Sequence, residues 1–301
     1  MHTVDEVVTH HTKVVNGINL HWVEAGEGPL VVLLHGFPEF WFSWRNQIPA
    51  LAEAGYRVVA PDLRGYNESD KPRGYDAYLG RPLAADVSGL IAACGETRAT
   101  VVGHDWGGAV AWMTAMRHPE MVERLVILNA PHPAVMAREL RSPGQLLRSS
   151  YMVFFQSPVI PERMLSARGF AGLKWALRSG SQRAGAFTDA DLERYVEAFS
   201  RPGALTGALA YYRAMGRRMT GTLRQSGAVP PPGGGRSVTA PTLIIWGRND
   251  PILGPRLADP GGDVLPDRRV VFVEDASHFV QADAPGKVNE LLLEFLRHTP
   301  G

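Results

Sequence analysis

The 301-residue chain has one cysteine, Cys94, so an intramolecular disulfide is impossible and a cysteine-based metal site is not expected. A lone thiol is compatible with a reducing compartment. Lysine is scarce: Lys13, Lys71, Lys174 and Lys287 are the only four, and the other basic residues are scattered arginines. No charge of either sign dominates, since 31 basic residues face 30 acidic ones for a net +1. That balance offers no electrostatic footprint for nucleic acid or for an anionic membrane. No apolar run approaches the roughly 18–20 residues of a membrane span. The N-terminal stretch up to Gly17 lacks the apolar core of a signal peptide. Together these absences predict a cytoplasmic protein without nucleic-acid or membrane partners. What is present is an ordinary globular balance, 45% apolar and 20% charged, which excludes global disorder.

The chain reads as three parts. In the first, residues 1–133, short β-prone runs alternate with helical stretches. Val7–Val15 and Ile18–Val23 are joined at Asn16-Gly17, a hairpin signal because both residues tolerate positive φ. Leu30–Leu34, Arg57–Ala60, Thr100–Val102 and Leu125–Leu128 are apolar without polar alternation. Helical patterns cover Ala84–Ala93 and Ala109–Arg117 between them. Such strands, separated by helices, imply a parallel sheet covered on both faces. The second part, 134–236, contains no buried-type strand, is rich in Arg, Ala, Leu and aromatics at helical spacing, and ends in the Pro/Gly stretch 230–235. The third, 237–301, returns to the α/β rhythm with strands at Thr242–Trp246 and Arg269–Val273 and a helix at Lys287–Arg297. An α/β core interrupted by an inserted helical lid is therefore expected.

One stretch carries chemistry most directly. Gly103 and Gly107 flank Asp105 at two-residue offsets, after a strand and before a helix. This is the spacing of a nucleophile elbow with aspartate in the nucleophile position. The turn projects its central side chain above the carboxyl edge of the sheet, where open α/β folds bind ligands. An aspartate before a helix can also be a simple N-cap. The flanking glycines favour the elbow, and the helix N-terminus is expected to keep Asp105 ionised. No Gly-x-Ser-x-Gly occurs elsewhere, so a serine nucleophile has no candidate. A nucleophile needs a base and an orienting group. His278 follows the last strand and Asp250 the strand before it, in the chain order nucleophile, acid, histidine. His10 and His11 read as a solvated pair. A Gly-bearing turn at His35–Pro38 would aim the Phe37 N–H at the nucleophile, where it would join the Trp106 N–H in an oxyanion hole.

These motifs resemble the α/β-hydrolase fold and, within it, the epoxide hydrolases, over nearly the whole chain. His35–Glu39 is similar to the family's oxyanion turn, Asp62–Tyr66 with Ser69 to its second signature, and Gly103–Gly108 to its elbow. Aspartate at the elbow is shared with haloalkane dehalogenases, which leaves that activity as the alternative. A non-catalytic ligand-binding member is a further alternative, against which the Asp105, His278 and Asp250 set argues. The resemblance implies that Tyr151 and Tyr212 bind the epoxide oxygen, with Tyr211 able to replace Tyr212 if the helix register differs. Two departures stand out. Asn67 occupies a position usually glycine, and Ser277 and Phe279 flank His278 where Gly and Trp are usual. Asn is the residue after Gly that best tolerates left-handed φ. No arginine follows Asp105, unlike fluoroacetate-type dehalogenases. The implied activity is hydrolysis of a small apolar epoxide to a vicinal diol by a monomer or homodimer, with no metal or organic cofactor. The aromatics Phe154, Phe155 and Trp175 are expected in the lid.

Overall fold

The computed structural model describes residues 3–222 and 238–297. The expected linker at 230–235, and the end of the second part at 236, lie outside the described residues. Eight strands form one sheet: β1 (Thr9–Val15), β2 (Ile18–Ala25), β3 (Leu30–Leu34), β4 (Arg57–Pro61), β5 (Ala99–His104), β6 (Val122–Leu128), β7 (Thr242–Gly247) and β8 (Arg268–Val273). Their spatial order is β1-β2-β4-β3-β5-β6-β7-β8. β2 runs antiparallel to β1 and β4, and the other pairings are parallel. This is an α/β-hydrolase arrangement. Every residue of β3, β5 and β7 is buried, which is why their centres read as apolar without polar alternation. The edge strand β1 is mostly exposed and correspondingly polar.

The Asn16-Gly17 hairpin forms, with Val15 opposite Ile18 and φ of 49° and 78° at the two turn residues. The first strand begins later than expected. Val4–Val7 is a short helix, α1, and β1 starts at Thr9. Glu6 accepts from the Thr3 N–H at 3.0 Å, a capping-box contact that outweighs the β preference of the valines.

The helices α2 (Gln47–Glu53), α3 (Gly80–Ala93), α4 (Trp106–Arg117), α11 (Val280–Asp283) and α12 (Pro285–Arg297) belong to the α/β part. α3 packs with α4, and α2 with α12. Between β6 and β7 come α5 (Pro133–Glu139), α6 (Pro143–Arg148), α7 (Ser150–Phe154), α8 (Ile160–Ser179), α9 (Asp189–Ser200) and α10 (Ala204–Met219). α8 is broken at Ala167–Phe170, which have non-helical dihedrals. Among the described residues no strand interrupts this helical stretch, and no helix is long and apolar enough to cross a membrane. Because β3 and β5 to β8 are parallel, the loops that follow them emerge at one edge of the sheet.

Candidate active site

Asp105 sits between β5 and α4 with φ 48° and ψ −117°, a conformation sparsely populated by residues with a Cβ. The strain is held by close packing on either side. A Cβ added to Gly107 would overlap the Leu34 carbonyl, and one on Gly36 would come within 2.5 Å of the Asp105 Cβ. Asp105 makes no side-chain cap to α4, so the N-cap alternative does not describe it. Its Oδ1 instead accepts from the Phe37 N–H at 2.9 Å. The neighbouring Trp106 N–H also favours the charged carboxylate. The two expected oxyanion donors therefore converge on one group. Oδ2 faces His278 Nε2 at 3.7 Å.

His278 lies in the loop after β8, almost fully buried, with Nδ1 2.8 Å from Asp250 Oδ2. Asp250 follows β7 and is saturated by donors. Its Oδ1 accepts from the Ile252 and Leu253 N–H groups at 2.7 and 2.8 Å. Its Oδ2 accepts from Asn129 Nδ2 at 2.7 Å as well as from His278. Burial works against an anionic Asp250, but His278 and these donors outweigh it and hold its pKa low. Burial likewise disfavours an imidazolium at His278. The charges of Asp250, Asp105 and Glu39 overcome that and raise its pKa to about 9. For Asp105 burial is the larger influence and pushes the pKa up, against the pull of His278, His104 and the two N–H donors. The helix N-terminus, taken from sequence as its governing influence, is thus outweighed by desolvation.

Two buried groups here escaped the sequence reading. Asn129, at the end of β6 with φ 42°, donates to Asp250 and accepts from the Gly247 N–H at 3.0 Å, locking the acid to its strand. Its signal was a polar residue closing the apolar run Leu125–Leu128. Glu39 and His104 form the second. Glu39 accepts from the Gly36 N–H at 3.0 Å and from Gln281 Nε2 at 2.9 Å, and lies 2.7 Å from His104 Nδ1. His104 Nε2 reaches the His278 carbonyl at 2.9 Å. One network therefore ties the Phe37 turn to the His278 loop. The positions were visible in sequence, but their mutual contact was not.

Tyr151 on α7 and Tyr212 on α10 meet edge to face, with ring centroids 5.9 Å apart. Tyr212 also packs edge-on against Trp106 at 5.0 Å and against Phe37 at 5.5 Å. Burial raises both phenol pKa values far above 10, and the nearby Asp105 charge adds to this. Tyr211 is differently employed. Its hydroxyl donates to the Arg64 carbonyl at 2.9 Å, and its ring packs on Tyr66 and Tyr78. Of the expected lid aromatics, Phe155 is buried against Tyr212 at 4.9 Å and Phe154 is 37% exposed. Trp175 is 71% exposed, a surface residue, because its helix turns the buried Leu173 and Leu177 inward instead.

The two departures from the expected motifs are absorbed. Asn67 adopts φ 35°, and its side chain donates to Asp62 at 2.8 Å. Phe279 packs edge-on against Phe187. His10 is not simply solvated: its ring stacks on the buried His21 with a 2.9 Å nitrogen contact, and His21 continues to Asp62 at 2.6 Å. Among the described residues no group of three or more His, Cys, Asp and Glu side chains is arranged to hold a metal ion.

Comparison with known proteins places this geometry. The model of the α/β-hydrolase fold family matches residues 29–285. An AB hydrolase superfamily protein of Bacillus subtilis (strain 168) is 45% identical over 94% of this chain and 96% of its own length. Epoxide hydrolase 4 of Mus musculus is 40% identical over 94% of this chain and 77% of its own. The crystal structure of Bacillus megaterium epoxide hydrolase in complex with an inhibitor matches with a TM-score of 0.86 and 35% identity, covering 96% of this chain and all of that one.

Proposed function

The chain belongs to the α/β-hydrolase fold family and, within it, to the epoxide hydrolases, and from that premise we propose that it opens epoxides through a covalent ester on Asp105. Asp105 Oδ2, the oxygen not held by Phe37, attacks a ring carbon. The C–O bond of the strained ring breaks and the departing oxygen needs a proton. Tyr151 and Tyr212 supply it. Burial keeps both phenols neutral, so they are donors, and two of them can share the developing charge. The described part of the inserted helical segment, residues 134–222, forms the cap that brings these tyrosines to the core.

Hydrolysis follows on the same carboxyl. His278, held by Asp250, which Asn129 in turn fixes, takes a proton from water, and the hydroxide attacks the ester carbonyl. The Phe37 and Trp106 N–H groups stabilise the tetrahedral oxyanion; on collapse the departing oxygen takes the imidazolium proton and leaves as the diol, and the proton of the restored Asp105 carboxyl returns through solvent to the phenolate left by ring opening, regenerating both. The electrostatics suit the order of events. In the free enzyme the Asp105 anion helps to hold His278 protonated. Esterification removes that anion, so the imidazole pKa falls and the ring becomes a base when one is needed.

A pH prediction follows from these directions. Ester formation requires ionised Asp105, whose raised pKa puts the acid limb of that step above pH 3.8. Ester hydrolysis requires neutral His278 and should rise with pH through a midpoint below about 9, because the alkylated enzyme lacks the Asp105 charge. Rapid-quench measurements of the two steps check both limbs. A hydrolysis midpoint at or above 9 would contradict the coupling.

The observation that carries the epoxide reading over the halide reading is the meeting of two phenols, Tyr151 and Tyr212, edge to face beside Trp106 and Phe37. A departing halide is a weak base that needs N–H donors and no proton. Here two phenols stand beside the indole, and phenols are what an alkoxide requires. The test is one preparation assayed for diol from aryl and alkyl epoxides and for halide from haloalkanes of similar size. Diol with negligible halide is expected, and Asp105-dependent halide release at a comparable rate would refute the assignment. In the same assays Tyr151→Phe or Tyr212→Phe should slow epoxide opening roughly 10²–10³-fold, the worth of one donor to a developing oxyanion. The double variant should lose considerably more. Wild-type opening in the double variant would reduce both tyrosines to packing.

A further inference from the structure

Tyr151 has a placement problem. It belongs to α7, five residues long, whereas an isolated helix shorter than about 12–15 residues is marginal in water. Tyr212, by contrast, sits on the sixteen-residue α10, most of which is buried. Something must hold the short helix against the long one if two phenols are to meet one oxygen.

Arg213, next in sequence to Tyr212, does this with its whole guanidinium. Nε donates to the Phe155 carbonyl at 3.1 Å and Nη2 to the Ser157 carbonyl at 2.7 Å. Both acceptors lie just beyond the last residue of α7, where helix carbonyls lack internal partners. Nη1 and Nη2 also reach the two Glu162 carboxylate oxygens at 2.7 and 2.9 Å, a two-point grip on the first turn of α8. The Arg213 and Glu162 side chains are only 5% and 17% exposed, so each charge depends on the other. Gln156 adds a second tie, donating from Nε2 to the Tyr212 carbonyl at 2.9 Å and the Met152 carbonyl at 3.0 Å. Phe155, whose carbonyl Arg213 holds, has its ring against both tyrosines, 5.6 Å from Tyr151 and 4.9 Å from Tyr212.

We propose that Arg213 is a positioning residue for epoxide opening: by locking the end of α7 to α10 it sets the spacing of Tyr151 and Tyr212, a role that rests on the function proposed above. It touches no reacting atom in this role. Lysine cannot replace it, because one ammonium cannot span two carbonyls and a carboxylate in a planar fork. The clamp acts on the step that uses the phenols and leaves the water-attack step, which belongs to His278, untouched.

The experiment is a cycle of four proteins, wild type, Arg213→Lys, Tyr151→Phe and the double variant, with ester formation and ester hydrolysis timed separately in single turnovers on one aryl epoxide. Arg213→Lys should slow ester formation roughly 10–100-fold, since misplacing a reacting group by about 1 Å costs on that order. Ester hydrolysis should change less than about twofold. In the Tyr151→Phe background the lysine substitution should cost little more, because the group it misplaces is already gone. Equal slowing of both steps, fully multiplicative effects, or ester formation at the wild-type rate would each overturn the proposal. Glu162→Gln, which weakens the clamp while keeping Arg213, should show the same selectivity if Arg213→Lys fails to fold, and its absence there would overturn the proposal too. The wild type and Tyr151→Phe report on the function itself. No diol from wild type, or no effect of Tyr151→Phe, removes the proposed function, whereas a normal pair with an unaffected Arg213→Lys removes only the clamp.

Discussion

Asp105→Ala should abolish diol formation, with a fall of at least roughly 10⁴-fold, or about 5.5 kcal/mol of transition-state stabilisation. The loss is large because the ester step has no substitute. The hydroxyls nearby belong to phenols held neutral by burial, and no serine lies at the elbow. The fold should survive. Alanine keeps the Cβ and therefore leaves the strain at φ 48° as it is. The cost is the Phe37 N–H left without its carboxylate acceptor, on the order of 1–3 kcal/mol for an unsatisfied buried donor. Diol yield by chromatography, alongside circular dichroism and thermal unfolding, measures both sides. Alanine is a cleaner test than asparagine, which can deamidate back to the acid. Retention of more than a few per cent of wild-type turnover would mean that another group attacks.

The second large effect separates the two half-reactions. His278→Gln should form the ester and fail to hydrolyse it, so that one equivalent of epoxide is consumed per chain and turnover stops. Loss of a positioned general base costs typically about 10²–10⁴-fold. Glutamine can still donate to Asp250 Oδ2, where His278 Nδ1 now lies at 2.8 Å, so the buried acid keeps a partner. Removal of the imidazole also removes the cation opposite Asp105, whose pKa should then rise further. Ester formation in this variant should therefore need a higher pH than in wild type. Intact-mass measurement should show the chain heavier by one epoxide, with the label on the peptide containing Asp105. Steady diol release without an adduct would mean that water attacks the substrate carbon and that no ester exists.

Much of the α/β part was readable because its signals are local. A strand buried on both faces is apolar through its middle, and β3, β5 and β7 are buried at every residue with apolar centres. Asn16-Gly17 makes a turn because of its own backbone freedom. Start points were less legible. Capping at Thr3 and Glu6 competed with β-branched propensity in Val4–Val7, and the cap won. The tyrosine ambiguity was of another kind. Tyr211 and Tyr212 are adjacent on one helix and face about 100° apart. Which of them faces Tyr151 depends on how α10 is rolled against its neighbours, and periodicity within one helix carries no such information. The Arg64 carbonyl that takes the Tyr211 hydroxyl is 147 residues away in the chain.

The sequence by itself determined the fold class and the chemistry on offer: a carboxylate between two glycines after a buried strand, then an acid and a histidine at later strand ends. Those features are legible because backbone sterics and strand burial act on neighbouring residues. The tertiary structure alone decided how the charges respond. Asp105 is raised by desolvation and His278 is lifted to about 9 by two carboxylates and Glu39, none of which is its sequence neighbour. It also decided that Asn129 holds Asp250, that Arg213 grips the end of α7, and that Trp175 faces solvent. The reason is common to all of these. Desolvation and hydrogen-bond partnership depend on which distant segments share a volume, and that is set by packing helices on a sheet rather than by spacing along the chain.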